Sequence, residues 1–172
     1  MTGDGTHRAV DKKLAAVCGL PCEACTMYIA STDDPARLKM FAARYQLPED
    51  EIKCFGCRSE KRTPSCDRCK MCSCAAERRV EFCVECAEYP CPDIRRFQSE
   101  MPHRIELWDD LEQIKNAGCE SWLKTIRENY ACPQCGVINS AYDAACRKCG
   151  HEPSCEYVAK HKDAVEKFMK GR

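Results

Sequence analysis

The sequence predicts a small metal-stabilised fold, mainly α with irregular loops. Three observations lead there. Nine of the 18 cysteines fall between Cys54 and Cys91, a density at which no core-forming apolar pattern survives. Many of the 18 stand as C-x2-C pairs, among them Cys54–Cys57, Cys66–Cys69, Cys83–Cys86, Cys132–Cys135 and Cys146–Cys149. That spacing lets two thiolates converge on one ion from a single tight turn. Between the cysteine groups, apolar residues recur at helical spacing, and only Val137 and Ile138 read as strand. The expected layout is a cysteine-rich helical metal-binding domain over residues 1–104, a helical hairpin connector over 105–130, a small β zinc ribbon over 131–153 and a C-terminal helix over 154–172.

Bulk properties narrow the setting. The N-terminal stretch has no signal-peptide layout, and nothing approaches a membrane span of about 20 apolar residues. A cytoplasmic, reducing location is therefore expected, where thiols stay free to bind metal rather than pair as disulfides. The 27 basic and 27 acidic residues cancel, so the chain carries no strong global field for nucleic acid. The local groups Arg58, Lys61, Arg62 and Arg95, Arg96 are short and flanked by acids or polar residues, as on a solvated face.

In chain order, residues 7–17 place Val10, Leu14 and Val17 on one face of a short helix. Cys18, Cys22 and Cys25 follow as three thiolate ligands that need a fourth from elsewhere. Their C-x3-C-x2-C spacing is also that of radical enzymes using S-adenosylmethionine, but the roughly 200 residues a barrel needs cannot be found here. Asp34 and Pro35 form a helix start, with Leu38, Phe41, Ala42 and Tyr45 at helical spacing and Pro48 as the stop. This helix is the best candidate for covering the metal cluster with apolar surface, but its apolar face is read simply as core.

Cys66, Cys69 and Cys72 form a C-x2-C-x2-C run like that of bacterial ferredoxins, and Cys91 precedes Pro92 as the last ferredoxin cysteine precedes proline. The gap from Cys72 to Cys91 is too long for that motif, and Cys74 interposes, so the match is partial. Cys91-Pro92 opens a helix with Ile94, Phe97 and Met101 on its apolar side. The free N–H groups there stabilise a thiolate. Leu107, Trp108, Leu111 and Ile114 line the first arm of the hairpin, Gly118 caps it, and Trp122, Leu123, Ile126 and Tyr130 line the second. Cys119, between the arms, reads as a small buried hydrophobe.

Cys132-Pro-Gln-Cys135-Gly136 and Cys146-Arg-Lys-Cys149-Gly150 are two knuckles separated by ten residues, the signature of a zinc ribbon. Rubredoxin uses similar knuckles for iron; a lone pair of this type suits Zn2+. Ser154 is placed as the cap of a last helix, with Tyr157, His161, Ala164, Val165 and Phe168 on one face. His161 is read as packed, and Cys155 as unpaired and exposed.

The order Cys18-Gly with Cys22 and Cys25, then Cys54-x-Gly-Cys57, Cys66, Cys69, Cys74-Ala and Cys83-x-x-Cys86 with Pro90-Cys91 resembles the cysteine-rich family called Domain of Unknown Function 3795. Gly118, Trp122-Leu123 and the CPQCG motif resemble members that carry a C-terminal zinc ribbon. The resemblance covers residues 14 to 150. It implies a metal-binding prokaryotic protein and implies no reaction. Cys72 is an addition to the family pattern.

Residues 18 to 91 contain 12 cysteines: 18, 22, 25, 54, 57, 66, 69, 72, 74, 83, 86 and 91. Twelve divides into three four-thiolate sites; without Cys72 and one more, two sites and spare thiols remain. Three functional classes follow: a non-enzymatic zinc module acting through a protein or nucleic acid, an iron–sulfur protein that transfers electrons or senses redox state, and a thiol or metal-handling protein. The first is preferred, with Zn2+ in the ribbon and Zn2+ or an iron–sulfur cluster in the N-terminal unit. No catalytic constellation, small-molecule site or membrane segment stands out in the sequence.

Overall fold

The N-terminal segment turns back on itself where a helix is expected. A computed structural model describes residues 11–171; residues 7–10, with Val10, lie outside them. In the described part only a 3-10 turn, Lys12–Leu14, forms, with the Asp11 carboxylate accepting from the Lys13 N–H at 2.9 Å. The chain then makes a tight hairpin in which Ala15 bridges Pro21 and the Cys22 N–H donates to Leu14 O at 2.8 Å. Leu14, Ala15, Ala16 and Val17 are all buried, so this is an inner segment rather than a one-faced helix. Gly19 stands at its tip with φ +83°. Pro21, lacking an N–H, could not have continued a helix.

Three helices follow and share a small satellite core. They are α1 (Thr26–Thr32), α2 (Pro35–Tyr45) and α3 (Glu49–Ile52). Asp34 caps α2 by accepting from the Arg37 N–H at 3.0 Å, and Pro35 occupies the first turn. The helix ends at Gln46, a left-handed residue two positions before Pro48. Leu38 and Ala42 pack with Ala30 and Ile52 in a cluster of their own, while Tyr45 is exposed.

The cysteine-rich stretch contributes α4 (Pro64–Asp67), α5 (Lys70–Arg78), a 3-10 turn at Cys83–Glu85 and α6 (Pro92–Ser99). Of its apolar side chains, Phe82, Val84 and Ile94 reach the main core. Met101 lies beyond the end of α6, just before a 3-10 turn at Pro102–Arg104. The largest single share of the core comes from the hairpin of α7 (Leu107–Ala117) and α8 (Cys119–Tyr130), joined at Gly118 with φ +85°. Leu107, Leu111 and Trp122 have no exposed surface, and Cys119 is buried as expected.

The small β ribbon is corrected by the structure: among the described residues no strand forms. Val137 and Ile138 make only an isolated bridge, Ala131 to Ile138, flanked by Cys132 N–H to Val137 O at 2.8 Å and Asn139 N–H to Tyr130 O at 2.9 Å. The fully buried Asn139 replaces the ladder. Its Nδ2 donates to Val137 O and Ser154 O, and its Oδ1 accepts from the Arg147 N–H. Pro153 removes a donor from the segment that would have supplied the next strand.

The last helix, α9 (Glu156–Lys170), packs on α8 through Tyr157, whose ring stacks on Tyr130 at 4.9 Å. Cys155, expected to be exposed, is only 1% accessible. It precedes the first helical residue, and Ser154, expected as the cap, is buried too. Both are drawn in because Tyr157 reaches inward to donate to Pro102 O at 2.7 Å. His161 is packed, 2.8 Å from Glu106 Oε1, at a kink in α9.

Candidate metal centres

Each ribbon knuckle is built by its own backbone. Gly136 and Gly150 take φ of +73° and +75°, which a side-chain-bearing residue rarely adopts. Their N–H groups donate back to Cys132 O at 2.8 Å and Cys146 O at 2.9 Å. The two turns face each other. Cys132 Sγ lies 3.6 Å from Cys149 Sγ, and Cys135 Sγ lies 3.6 Å from Cys146 Sγ. All four sulfurs fall within 4.8 Å of one another, the one such group of metal-ligating side chains among the described residues. Burial opposes ionisation of Cys146, but the N–H groups of Cys149 and Lys148 and the neighbouring thiols pull it down to about 6. Asn139 Nδ2, 3.7 Å from Cys146 Sγ, is a further donor that the sequence did not reveal, because nothing in the spacing marks an asparagine as buried. Four cysteine sulfurs this close together could hold one metal ion, and would then supply all four ligands of a tetrahedral site.

The N-terminal cysteines meet across the chain. Cys57 Sγ lies 3.3 Å from Cys72 Sγ, and the Cys57 N–H donates to Cys22 Sγ at 3.2 Å. Cys72 also hydrogen-bonds the thiol of Cys69, and Cys54 pairs in the same way with Cys66. The Cys72 thiol, hydrogen-bonded to both, holds Cys57 and Cys69 down at about 6, while those contacts push Cys72 itself far up. Cys18 and Cys22 are pushed up by burial. Helix starts add N–H donors: Cys25 precedes α1 and accepts from Tyr28 and Met27, and Cys69 precedes α5 and accepts from Cys72 and Met71. The remaining four, Cys74, Cys83, Cys86 and Cys91, line a separate cavity. A soft cation binding thiols such as these would displace their protons.

Among the described residues, no helix is long and apolar enough to cross a membrane. Residues 14–96 match the model of a family described as Protein of unknown function (DUF3795), the family that the cysteine order resembles. No curated protein and no solved structure matches the chain.

Proposed function

We propose that this chain, which carries a DUF3795 region over residues 14–96, is a non-enzymatic zinc-binding module that acts through a macromolecular partner, a protein or a nucleic acid. The observation that carries this reading is the closed four-thiolate arrangement of Cys132, Cys135, Cys146 and Cys149. A zinc there would be saturated by protein ligands and would serve to hold a shape. The knuckle tips Pro133, Gln134 and Lys148 are exposed and so open to a partner.

A second reading, an iron–sulfur protein that transfers electrons or senses redox state, draws support from the cysteines of residues 18–91 that stand in other groups. Anaerobic purification with metal and sulfide analysis separates the two. Colourless protein carrying zinc supports the module. Brown protein with acid-labile sulfide and a broad visible band would favour the electron-transfer reading. Partner binding is then tested by affinity capture with the intact chain against Cys135→Ser; equal capture would remove the ribbon from the interface.

A further inference from the structure

We propose that Cys74, Cys83, Cys86 and Cys91 form a second metal centre, separate from the ribbon, in which four thiolates bind a thiophilic metal in the cavity beside α5 and α6. The four come from separate places that the fold brings together. Cys74 lies in α5, Cys83 and Cys86 flank the peptide groups of the 3-10 turn, and Cys91 immediately precedes α6. All four line one cavity of about 30 Å³. That is room for an ion or about one or two waters.

The lining selects the ligand. Besides the four sulfurs, the walls are carbon from Ala75, Val80 and Ile94, with Tyr89 and Arg78 at the sides. A hard cation such as Mg2+ or Ca2+ takes oxygen ligands, and no carboxylate lines this space. Thiolate sulfur selects zinc, copper(I) or iron–sulfur chemistry. Charge is also provided for. Four thiolates around a divalent ion leave two negative charges, and Arg78, paired with Glu88 at 2.8 Å, also reaches the Cys74 sulfur. The frame is rigid. The Cys83 N–H donates to Val17 O at 2.8 Å, and Val84 within the turn and Ile94 in α6 are both buried in the main core.

The spacing also separates this centre from the ribbon. Its sulfurs are not gathered within 4.8 Å as the ribbon's are. A single ion would draw them together by side-chain rotation, whereas a four-iron cluster would hold them about 6 Å apart. Both occupants are thiophilic metals on the same four residues. The inference does not depend on the ribbon, and its failure leaves the ribbon intact.

The test uses the full chain purified without oxygen, with metal and sulfide counted per chain for wild type, Cys83→Ser, Cys91→Ser, the double variant and Cys135→Ser. Each single variant is expected to lose one centre, and the double variant no more than either single one. Cys135→Ser should lose a different centre, additively. Zinc loss identifies a single ion, and parallel loss of iron and sulfide a cluster. Unchanged metal in both single variants, or twice the loss in the double variant, would overturn the proposal. Because a variant can fail to fold, wild type is also alkylated during stepwise metal removal. Cys74, Cys83, Cys86 and Cys91 should become reactive together as one centre leaves. Alkylation of Cys74 ahead of the other three in fully loaded protein would refute the grouping.

Discussion

The indole N–H of Trp122 donates to Asp110 Oδ1 at 2.8 Å, and the pair sits inside the α7–α8 hairpin with no exposed surface on Trp122 and 8% on Asp110. Burial pushes the Asp110 carboxyl from 3.8 up to about 7; the Trp122 hydrogen bond opposes this, and the nearby carboxylates of Glu106 and Asp109 reinforce it. The folded state therefore holds this proton more tightly than the unfolded chain. The contribution is complete below about pH 4 and falls as pH rises towards 7. Asp110→Asn, which keeps an acceptor for the indole, should gain about 2–4 kcal/mol relative to wild type between about pH 5 and about pH 8. Urea unfolding of both proteins at the two pH values checks this; parallel pH slopes would refute it.

Trp122→Ala removes the largest fully buried side chain and leaves the Asp110 carboxyl without its donor. The cost should be about 3–5 kcal/mol. Trp122→Phe keeps most of the volume but loses the same donor, so it should cost less; its own cost approximates the lost hydrogen bond, and the difference between the two variants approximates the lost volume. Equal denaturation midpoints for the two variants would show that volume is not the dominant loss.

A methyl group at Gly19 would lie 2.7 Å from Leu111 Cγ, and its φ of +83° is unfavourable for any side chain. Gly19→Ala should destabilise by about 2–4 kcal/mol, combining overpacking with backbone strain. Adding Leu111→Ala relieves the contact and leaves the strain. A double-mutant cycle should thus show a coupling of at least about 0.5 kcal/mol. Strict additivity would mean that Leu111 already yields to the extra methyl.

In the ribbon, Cys135→Ser should release one metal per chain and weaken amide protection around Cys132–Gly136 and Cys146–Gly150, the two turns whose sulfurs face each other. Structural zinc contributes on the order of 10 kcal/mol to such units. The thiol groups of residues 18–91 draw on other ligands and should keep their metal. Hydrogen exchange read by mass spectrometry, with metal analysis, checks both halves. Loss of all metal would show that the ribbon and the N-terminal unit fold as one.

Acid should release metal from every thiolate site, since protons compete for the sulfurs; stability that depends on metal is lost as pH falls. This is opposite in sign to the Asp110 effect. The two are separated by adding a chelator at about pH 8, where removal of metal should lower the unfolding midpoint while the Asp110→Asn increment persists.

How much of this was legible in the sequence depended on distance along the chain. The ribbon was, because its ligands lie within residues 132–149 and each C-x2-C-G makes its own turn. The α7–α8 hairpin was, because apolar periodicity and Gly118 are local signals. Which N-terminal thiols meet was not. The i, i+3 spacing sets a turn but cannot say which distant turn it faces, and packing around the Ala15–Pro21 hairpin brings Cys57 onto Cys72 and Cys54 onto Cys66. The absence of strands in the ribbon was likewise a tertiary matter, since the buried Asn139 side chain takes the hydrogen bonds a ladder would have made. So was the burial of Cys155, which follows from the stacking of Tyr157 on Tyr130, a contact between residues 27 positions apart. Local turn chemistry was thus written in the sequence by itself, whereas the pairing of remote turns was decided by the shared core, because only burial makes one pairing better than another.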